Sequence, residues 1–402
     1  MPELNETPRA NRIHIAFFGL RNAGKSTLVN AFTGQPLAIV SDTPGTTTDP
    51  VSKAMEILPL GPCLVTDTAG LDDVGELGRQ RVEKTLKVLE TTDIAVWVDA
   101  DSGEDSPEPP LNANPANVAN RIEFGSEVRD EFLRRCAARK VTVIEYRRGD
   151  SVEELKKKIA AVKLEETTPG LLDGLVRPGD RLVCVCPIDE SAPKGRLILP
   201  QVQLIRAALD LHATCTVCQP EELRDCLESG AADLVVTDSQ AFRTVDETLE
   251  KSGKASAVRL TSFSILFARQ KGDIAAYKEG LARLAELKDG DRVLVAEGCT
   301  HHRQCNDIGT VKIPKAVTKL SGGRKLEFVF ASGTAFDTQT PQHPNTQTPG
   351  RYALIVQCGG CMLTRREVLR RISAAREAGI PIVNYGMVLA LAAGVEVEKC
   401  VM

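Results

Sequence analysis

Gly19-Leu-Arg-Asn-Ala-Gly-Lys-Ser-Thr27 is a glycine-rich loop near the start of this 402-residue chain. The apolar run Ile13-His-Ile-Ala-Phe-Phe18 precedes it, and apolar residues at helical spacing follow as far as Phe32. The loop thus lies between a predicted strand and a predicted helix, the context that a phosphate-binding loop requires. The Lys25 ammonium would reach the β- and γ-phosphate oxygens, and the Ser26 hydroxyl would bind Mg²⁺. The predicted nucleotide contacts in this loop are Gly19, Asn22, Ala23, Gly24, Lys25, Ser26 and Thr27.

Two downstream segments complete the pattern of a GTPase. Ser41-Asp-Thr-Pro-Gly-Thr-Thr-Thr-Asp49 resembles switch I of the Era and TrmE GTPases, and the resemblance implies that Thr47 binds Mg²⁺ and senses the γ-phosphate. Leu64-Val-Thr-Asp-Thr-Ala-Gly70 is a predicted strand that ends beside the nucleotide, which places the Asp67 carboxylate near Mg²⁺ and the Gly70 amide near the γ-phosphate. Leu71 stands where a Ras-like enzyme has its water-orienting glutamine. We therefore predict slow GTP hydrolysis, with Lys25, Thr47 and Gly70 as the catalytic residues.

Asn22 has two interpretations. It matches the position that helps to bind K⁺ in potassium-activated members of this group, so the resemblance implies K⁺-stimulated hydrolysis. The alternative is a loop residue that suits the turn geometry, because asparagine is common in turns.

The base-recognition motif is degenerate. Pro115 to Glu123 takes the position of an apolar strand that ends in Asn-Lys-x-Asp, and Asn120 and Glu123 match that motif. Glutamate keeps the carboxylate that would pair with guanine, on a side chain one methylene longer. The alternative places Asp150 of Arg147-Arg-Gly-Asp150 in this role. We prefer the first because it leaves a helix at 127–138, a strand at 141–145 and a helix at 151–162 in the expected order.

Composition excludes several classes of protein. A net charge of −4 argues against broad binding to nucleic acid or anionic membranes, since both need a basic surface. No segment has the pattern of a signal peptide or a membrane span, so we expect a cytoplasmic location. In that compartment the 12 cysteines are expected to be thiols or metal ligands rather than disulfides.

Four cysteines of the middle third allow a metal site. Cys184 and Cys186 lie on one face of a predicted strand, and Cys215 and Cys218 form a Cys-x-x-Cys pair. Four thiolates could bind zinc. We favour thiols of the hydrophobic core, because no glycine or proline shapes a metal-binding knuckle around them.

The last third contains a predicted cluster site. Cys299 follows one predicted strand, and Cys358 and Cys361 follow another. Because the carboxyl ends of strands in an open α/β sheet face a common crevice, these cysteines can converge. Three thiolates favour an iron-sulfur cluster over closed four-ligand zinc. His301 is a possible ligand at the open iron, and Cys305 is a spare thiol.

Together these features resemble the HydF family, the maturation GTPases of FeFe-hydrogenase. The resemblance implies a 4Fe-4S cluster on Cys299, Cys358 and Cys361 and a homodimer formed by the middle domain. It also implies a scaffold that receives a diiron precursor from two radical-SAM maturases and delivers it to apo FeFe-hydrogenase. This sequence has Gln357 where the family usually has histidine, so His301 is the better candidate near the open iron.

We therefore predict three consecutive α/β domains. They are a P-loop Ras-like GTPase domain at 11–168, a dimerisation or scaffold domain at 169–270 and a cluster-binding domain at 271–402. The expected cofactors are GTP, Mg²⁺, K⁺ and a 4Fe-4S cluster. The alternative function is an Era- or TrmE-type GTPase of RNA modification or ribosome assembly, which would need a basic RNA-binding appendage.

Overall fold

The chain forms two compact units, Met1–Thr167 and Thr168–Met402. The structure is a computed structural model that describes residues 9–34, 50–73, 75–99, 115–163, 168–188, 197–298, 307–333, 336–338 and 351–401, without the side chains of 115–124 and 401. Helices flank parallel sheets in both units, which confirms the predicted α/β class.

A five-stranded sheet organises the first unit, with helices interspersed along the chain. Its elements are β1 (Ile13–Phe18), α1 (Lys25–Thr33), β2 (Val51–Ile57), β3 (Gly61–Asp67), α2 (Gly75–Leu89), β4 (Ile94–Asp99), α3 (Pro115–Ala138), β5 (Thr142–Arg147) and α4 (Val152–Ala160). The strand order is β2-β3-β1-β4-β5, in which only β2 is antiparallel to its neighbour. The central strand β1 is buried from His14 to Phe18, as its apolar sequence predicts. This arrangement places the loop after β1 at the carboxyl edge of the sheet.

The strand that we predicted at residues 115–123 is wrong. These residues form the first part of α3, which runs without interruption to Ala138. Val118 is the only β-branched residue before Ile122, whereas alanine and arginine favour a helix, and Pro115 suits the first helical turn. Consequently β5 is the strand that pairs with β4.

Two four-stranded parallel sheets form the second unit. The first has the order β7-β6-β8-β9 and the second β11-β10-β12-β13. The elements of the first are β6 (Arg181–Val185), α5 (Leu199–Asp210), β7 (Thr214–Cys218), α6 (Leu223–Ser229), β8 (Leu234–Thr237), α7 (Phe242–Lys251), β9 (Arg259–Ser262) and α8 (Phe263–Lys271). Those of the second are α9 (Ile274–Arg283), β10 (Arg292–Ala296), α10 (Ile313–Leu320), β11 (Glu327–Ala331), β12 (Leu354–Gln357), α11 (Arg365–Glu377), β13 (Ile382–Asn384), α12 (Tyr385–Ala393) and α13 (Val397–Val401).

The two sheets of this unit share one hydrophobic core. Buried residues of β6 and β8, such as Val185 and Val235, belong to the same apolar cluster as Val295 and Val356 of β10 and β12. Helix α8 follows β9, the last strand of the first sheet, and packs on α11 and α12, which flank the second sheet. The predicted domains at 169–270 and 271–402 therefore each contain one sheet, and the sheets pack together. Within the described ranges, no helix combines the length and apolar character needed to cross a bilayer.

Candidate functional site

The phosphate-binding loop has a backbone that restricts its residue types. Gly19 has a φ of 153°, and a Cβ at this position would lie 2.5 Å from the Val98 carbonyl oxygen. Gly24 precedes α1 with a left-handed φ of 87°. Asn22 is exposed and also left-handed, with a φ of 63°, a conformation that asparagine adopts more readily than most residues. Turn geometry thus accounts for Asn22, and K⁺ binding by its side chain stays a prediction.

Lys25, the first residue of α1, turns its side chain back over this loop. Its Nζ donates to the carbonyl oxygens of Leu20 at 2.7 Å and Gly19 at 3.2 Å. Burial lowers its pKa, while the negative charges of Asp67, Asp72 and Asp73 oppose that shift. The ammonium is therefore held inside the loop, where a bound phosphate would gain most from it.

Ser26 and Asp67 form a polar pair beside Lys25. The Ser26 hydroxyl donates to Asp67 Oδ2 at 2.6 Å. Burial raises the pKa of Asp67, and the Ser26 hydrogen bond and the Lys25 charge oppose that rise. The second oxygen, Oδ1, is buried without a hydrogen-bond partner. A buried carboxylate oxygen that lacks a partner fits a hydrated divalent cation, so the residues present suit Mg²⁺.

The segment after β3 closes against the phosphate-binding loop. A Cβ on Gly70 would lie 2.8 Å from the Arg21 backbone nitrogen, so only glycine allows this approach. The Leu71 amide donates to the Gly19 carbonyl at 3.3 Å. The Asp72 carboxylate accepts a hydrogen bond from the Arg21 amide. Sequence reasoning missed the Asp72 contact, although an acidic pair directly after Asp-Thr-Ala-Gly was a visible signal.

The structure does not describe the side chains of three other residues that we predicted to contact the nucleotide or its Mg²⁺. Thr47 lies outside the described residues, and the side chains of Asn120 and Glu123 do as well. The alternative carboxylate, Asp150, follows β5 and accepts from the Arg147 amide at 3.0 Å. Because the Asp150 side chain closes its own turn, its position at the strand end does not decide between the two carboxylates.

In the second unit, two strand ends meet at the predicted cluster site. The amide nitrogen of Gly298, just after β10, lies 3.1 Å from Cys358 Sγ, just after β12. A Cβ on Gly298 would lie 2.5 Å from Leu363 Cγ, so the two loops pack closely. Cys358 and Cys361 are both half-buried free thiols. Cys299, His301 and Cys305 lie outside the described residues.

Charged and polar side chains from distant elements surround these thiols. Lys271, at the end of α8, donates to three carbonyl oxygens of the loop that contains Cys361. Gln357 is fully buried, and its Nε2 donates to the Tyr277 hydroxyl at 3.3 Å. Its amide oxygen is buried without a hydrogen-bond partner. No short motif in the sequence points to Lys271 or Tyr277, because their contacts here join residues 80 to 92 positions apart.

Burial is the main influence on the pKa values of Cys358, Cys361 and Lys271. It raises the pKa of Cys358, although the amides of Gly360 and Gly298 donate to the sulfur and oppose the rise. It raises the pKa of Cys361 to about 11, with Cys358 adding to the rise and Lys271 opposing it. It also lowers the pKa of Lys271 to about 8. A soft metal centre fits such thiols, since metal binding replaces the proton and removes the cost of a buried thiolate.

The cysteines of the middle sheet are arranged differently. Cys184 and Cys186 are buried, with their sulfur atoms 3.4 Å apart in the core beneath β6. Cys215 packs on the edge of that core, whereas Cys218 packs against the core on the other face of the sheet. Among the residues with described side chains, no group of three or more potential ligands could hold a metal ion. Three of the four cysteines thus belong to or pack against one core and Cys218 packs against the other, which is the packing expected of core thiols.

Three family models match successive parts of the chain. The family described as 50S ribosome-binding GTPase matches residues 14–123. The hydrogen maturase F dimerization domain matches residues 171–272, and the hydrogen maturase F tetramerization domain matches residues 275–401. The match to the GTPase family confirms a P-loop GTPase domain, which implies binding of GTP and Mg²⁺.

Curated relatives match the GTPase part. The tRNA modification GTPase MnmE of Phenylobacterium zucineum is 41% identical over 105 residues, which are 26% of this chain and 23% of that protein. GTPase Der of Xylella fastidiosa is 45% identical over 100 residues, 24% of this chain and 21% of that protein. MnmE of Caldicellulosiruptor saccharolyticus is 26% identical over 181 residues, 42% of this chain and 39% of that protein. The chain thus spans between a fifth and two fifths of these relatives.

Similar solved structures include Era with MgGDPNP and nucleotides 1506–1542 of 16S ribosomal RNA, at 18% identity and a TM-score of 0.25, covering 61% of this chain and all of that one. Another is Toc33 from Arabidopsis thaliana with Mg²⁺ and GMPPNP, at 17% identity and a TM-score of 0.24, covering 37% of this chain and 83% of that one. These scores are too low to support any argument about the arrangement of this chain.

Proposed function

This chain belongs to the hydrogen maturase F (HydF) family of GTP-binding maturation proteins, and from that premise we propose that it is a scaffold for metal-cluster assembly. It holds a 4Fe-4S cluster through Cys299, Cys358 and Cys361. It receives a diiron precursor made with two radical-SAM maturases. It then delivers this precursor to apo FeFe-hydrogenase.

The observation that carries this proposal is the meeting of two strand ends. Cys358 Sγ lies 3.1 Å from the Gly298 amide, and Cys299 is bonded directly to Gly298. This adjacency in the sequence supports Cys299 as a third ligand beside Cys358. Three such thiolates would leave one iron of a cubane for exchangeable ligation, with His301 as the candidate nearby.

The GTPase part is proposed to regulate partner exchange. The fit of Ser26 and Asp67 to Mg²⁺ and the position of Lys25 support nucleotide binding at this site. Thr47 is the proposed second protein ligand of Mg²⁺, and Asn22 the proposed K⁺ ligand. Leu71 in place of a glutamine supports slow hydrolysis. Different affinities of GTP and GDP for two conformations would then alter partner contacts.

The family-specific domains support oligomerisation of this chain, and we propose a homodimer. A role in RNA modification is not carried over from the curated relatives, because the matched residues cover only a small part of each relative. The net charge of −4 also argues against broad binding to RNA.

Anaerobic reconstitution with iron and sulfide tests the scaffold function. We expect about four iron atoms per chain and a reducible cubane signal by EPR. A chain loaded in the presence of the two maturases should then activate apo FeFe-hydrogenase, with protein loaded with iron and sulfide alone as the control. Stoichiometric zinc in place of iron, or RNA binding at physiological salt, would contradict the proposal.

A further inference from the structure

Lys271 is a buried lysine whose hydrogen bonds all go to one loop. Its side chain is 1% exposed. Its Nζ donates to the carbonyl oxygens of Leu363 at 2.8 Å, Gly360 at 3.1 Å and Cys361 at 3.3 Å. An ammonium group has three protons to donate, so this loop takes all of them. Lys271 therefore ties the end of α8 to the loop that presents Cys358 and Cys361.

The charge of Lys271 has no carboxylate partner in the part of the chain that the structure describes. The nearby groups that could carry a negative charge there are Cys361 and Cys358, in their thiolate forms. The Phe267 ring lies 5.0 Å from Nζ and offsets part of the desolvation cost. A buried cation without an anion is costly, and an apolar side chain of similar length would avoid that cost. A lysine at this position thus suits an anion bound beside it.

We propose that Lys271 is a positioning residue for an anionic metal-thiolate centre at Cys358 and Cys361. The inference rests on the proposed function, because it takes the 4Fe-4S cluster as that centre. Three thiolates outweigh the positive charge of an oxidised cubane core, so the centre is negative overall. Lys271 fixes the backbone from Gly360 to Leu363 through hydrogen bonds and balances that negative charge. Its positive charge also favours the reduced cluster, which is more negative still.

Two neutral variants separate the hydrogen bonds from the charge. Lys271→Met removes both, whereas Lys271→Gln removes the charge and keeps an amide that can donate to two carbonyls. Lys288→Met is the matched control, because Lys288 is an exposed lysine of the same unit. Each protein is reconstituted anaerobically with iron and sulfide. The measurements are the midpoint potential of the cluster, the rate of iron loss to a chelator, and hydrogen exchange of the 358–363 amides in the apo-protein.

We expect both Lys271 variants to shift the midpoint potential to more negative values, because reduction adds a charge that the lysine no longer balances. Iron loss should accelerate about 10- to 100-fold in Lys271→Met, the usual effect of losing a residue that orients metal ligands. Amide exchange should be faster in Lys271→Met than in Lys271→Gln. Lys288→Met should match the wild type in all three measurements.

An unchanged potential and an unchanged rate of iron loss in both variants would overturn the proposal. If Lys271→Met does not fold, an unchanged midpoint potential in Lys271→Gln would by itself overturn the proposal. If the wild-type protein takes up no cluster, the proposed function fails, and hydrogen exchange in the apo-protein decides the positioning role separately. Equal exchange in wild type and Lys271→Met would then overturn it.

Discussion

The amide nitrogen of Gly298 lies 3.1 Å from Cys358 Sγ, although 60 residues separate them along the chain. The contact exists because β10 and β12 are parallel neighbours whose carboxyl ends share one edge of the sheet. Cys361 and the carbonyl oxygens that Lys271 contacts belong to the same loop. The proposed cluster site is therefore supported by a sheet edge and by a helix of the adjoining sheet.

Replacing a proposed cluster ligand should remove the iron but leave GTP hydrolysis intact. We expect Cys299→Ala, Cys358→Ala and Cys361→Ala each to lose the reducible EPR signal after anaerobic reconstitution, because two thiolates cannot hold the cubane stably. Cys226→Ala removes a half-buried thiol of helix α6 and is the matched control. Retention of the signal in Cys299→Ala would show that Cys299 is not a cluster ligand.

The Cys361 thiol should react slowly in the folded apo-protein. Burial raises its pKa to about 11, which leaves about a hundredfold less thiolate at pH 8 than an unperturbed thiol has. Alkylation by iodoacetamide should therefore accelerate about tenfold per pH unit until roughly pH 11. Since the folded state holds the proton more tightly, the contribution of this thiol to stability is complete below the ordinary thiol pKa and is lost as the pH rises from there to about 11.

Mass spectrometry of the alkylated Cys361 peptide measures this rate. The urea-unfolded protein provides the control, in which the rate should level off near the ordinary thiol pKa. Equal rates for folded and unfolded protein at pH 8 would show that the thiol is not perturbed.

Gly298 and Leu363 should be energetically coupled. A Cβ on Gly298 would lie 2.5 Å from Leu363 Cγ, and the Leu363 side chain is buried, so it cannot move away freely. We expect Gly298→Ala to lower the free energy of unfolding by about 1–3 kcal/mol. Leu363→Ala alone should cost about 2–5 kcal/mol. The double variant should lose less than the sum, because Leu363→Ala removes the atoms that clash.

Urea unfolding of the apo-protein checks this coupling. Gly230→Ala is the control, since a Cβ at Gly230 would meet no atom within 4 Å. Strictly additive losses in the double variant would contradict the close packing of these two loops.

The sequence predicted those features that depend on local pattern. The phosphate-binding loop, its flanking elements β1 and α1, and the strands before Gly298 and Cys358 all carry apolar runs and glycines at fixed spacing. The strand predicted at 115–123 is wrong because these residues have a low β-propensity, and they form a helix although the order of elements in the fold favours a strand there. Lys271 was missed because its partners lie 89 to 92 residues away, and a single lysine after an apolar helix has no distinguishing pattern.

Asn22→Gly should separate K⁺ binding from loop geometry. Glycine adopts the left-handed φ of 63° without cost, so the loop should keep its conformation and bind GTP. If the Asn22 side chain is a K⁺ ligand, this variant should hydrolyse GTP equally slowly in K⁺ and Na⁺, whereas the wild type should be severalfold faster in K⁺. Asn22→Ala would add about 1–2 kcal/mol of backbone strain and is less informative. Stimulation by K⁺ that persists in Asn22→Gly would assign this residue to turn geometry alone.

The carboxylate that recognises guanine can be identified by comparing the binding of nucleotides that carry different bases. A carboxylate accepts hydrogen bonds from the guanine N1 and N2 groups. The NH₂ group of glutamine or asparagine is itself a donor, so it would face one of these groups without forming a hydrogen bond. If Glu123 has this role, Glu123→Gln should weaken GDP binding by roughly 10- to 100-fold, the usual effect of losing a hydrogen bond to a charged group. It should also improve binding of xanthosine diphosphate, whose C2 oxygen can accept from the new amide.

Asp150→Asn is the matched comparison, measured by isothermal titration calorimetry with both nucleotides. Its side chain accepts from the Arg147 amide at 3.0 Å, and asparagine keeps an oxygen for that bond. The turn should therefore persist, with GDP affinity within about threefold of the wild type, since only exposed polar atoms change. A switch toward xanthosine diphosphate in Asp150→Asn, with none in Glu123→Gln, would move base recognition to the end of β5. The strand order β1-β4-β5 would then be that of a GTPase whose recognition loop follows Arg147.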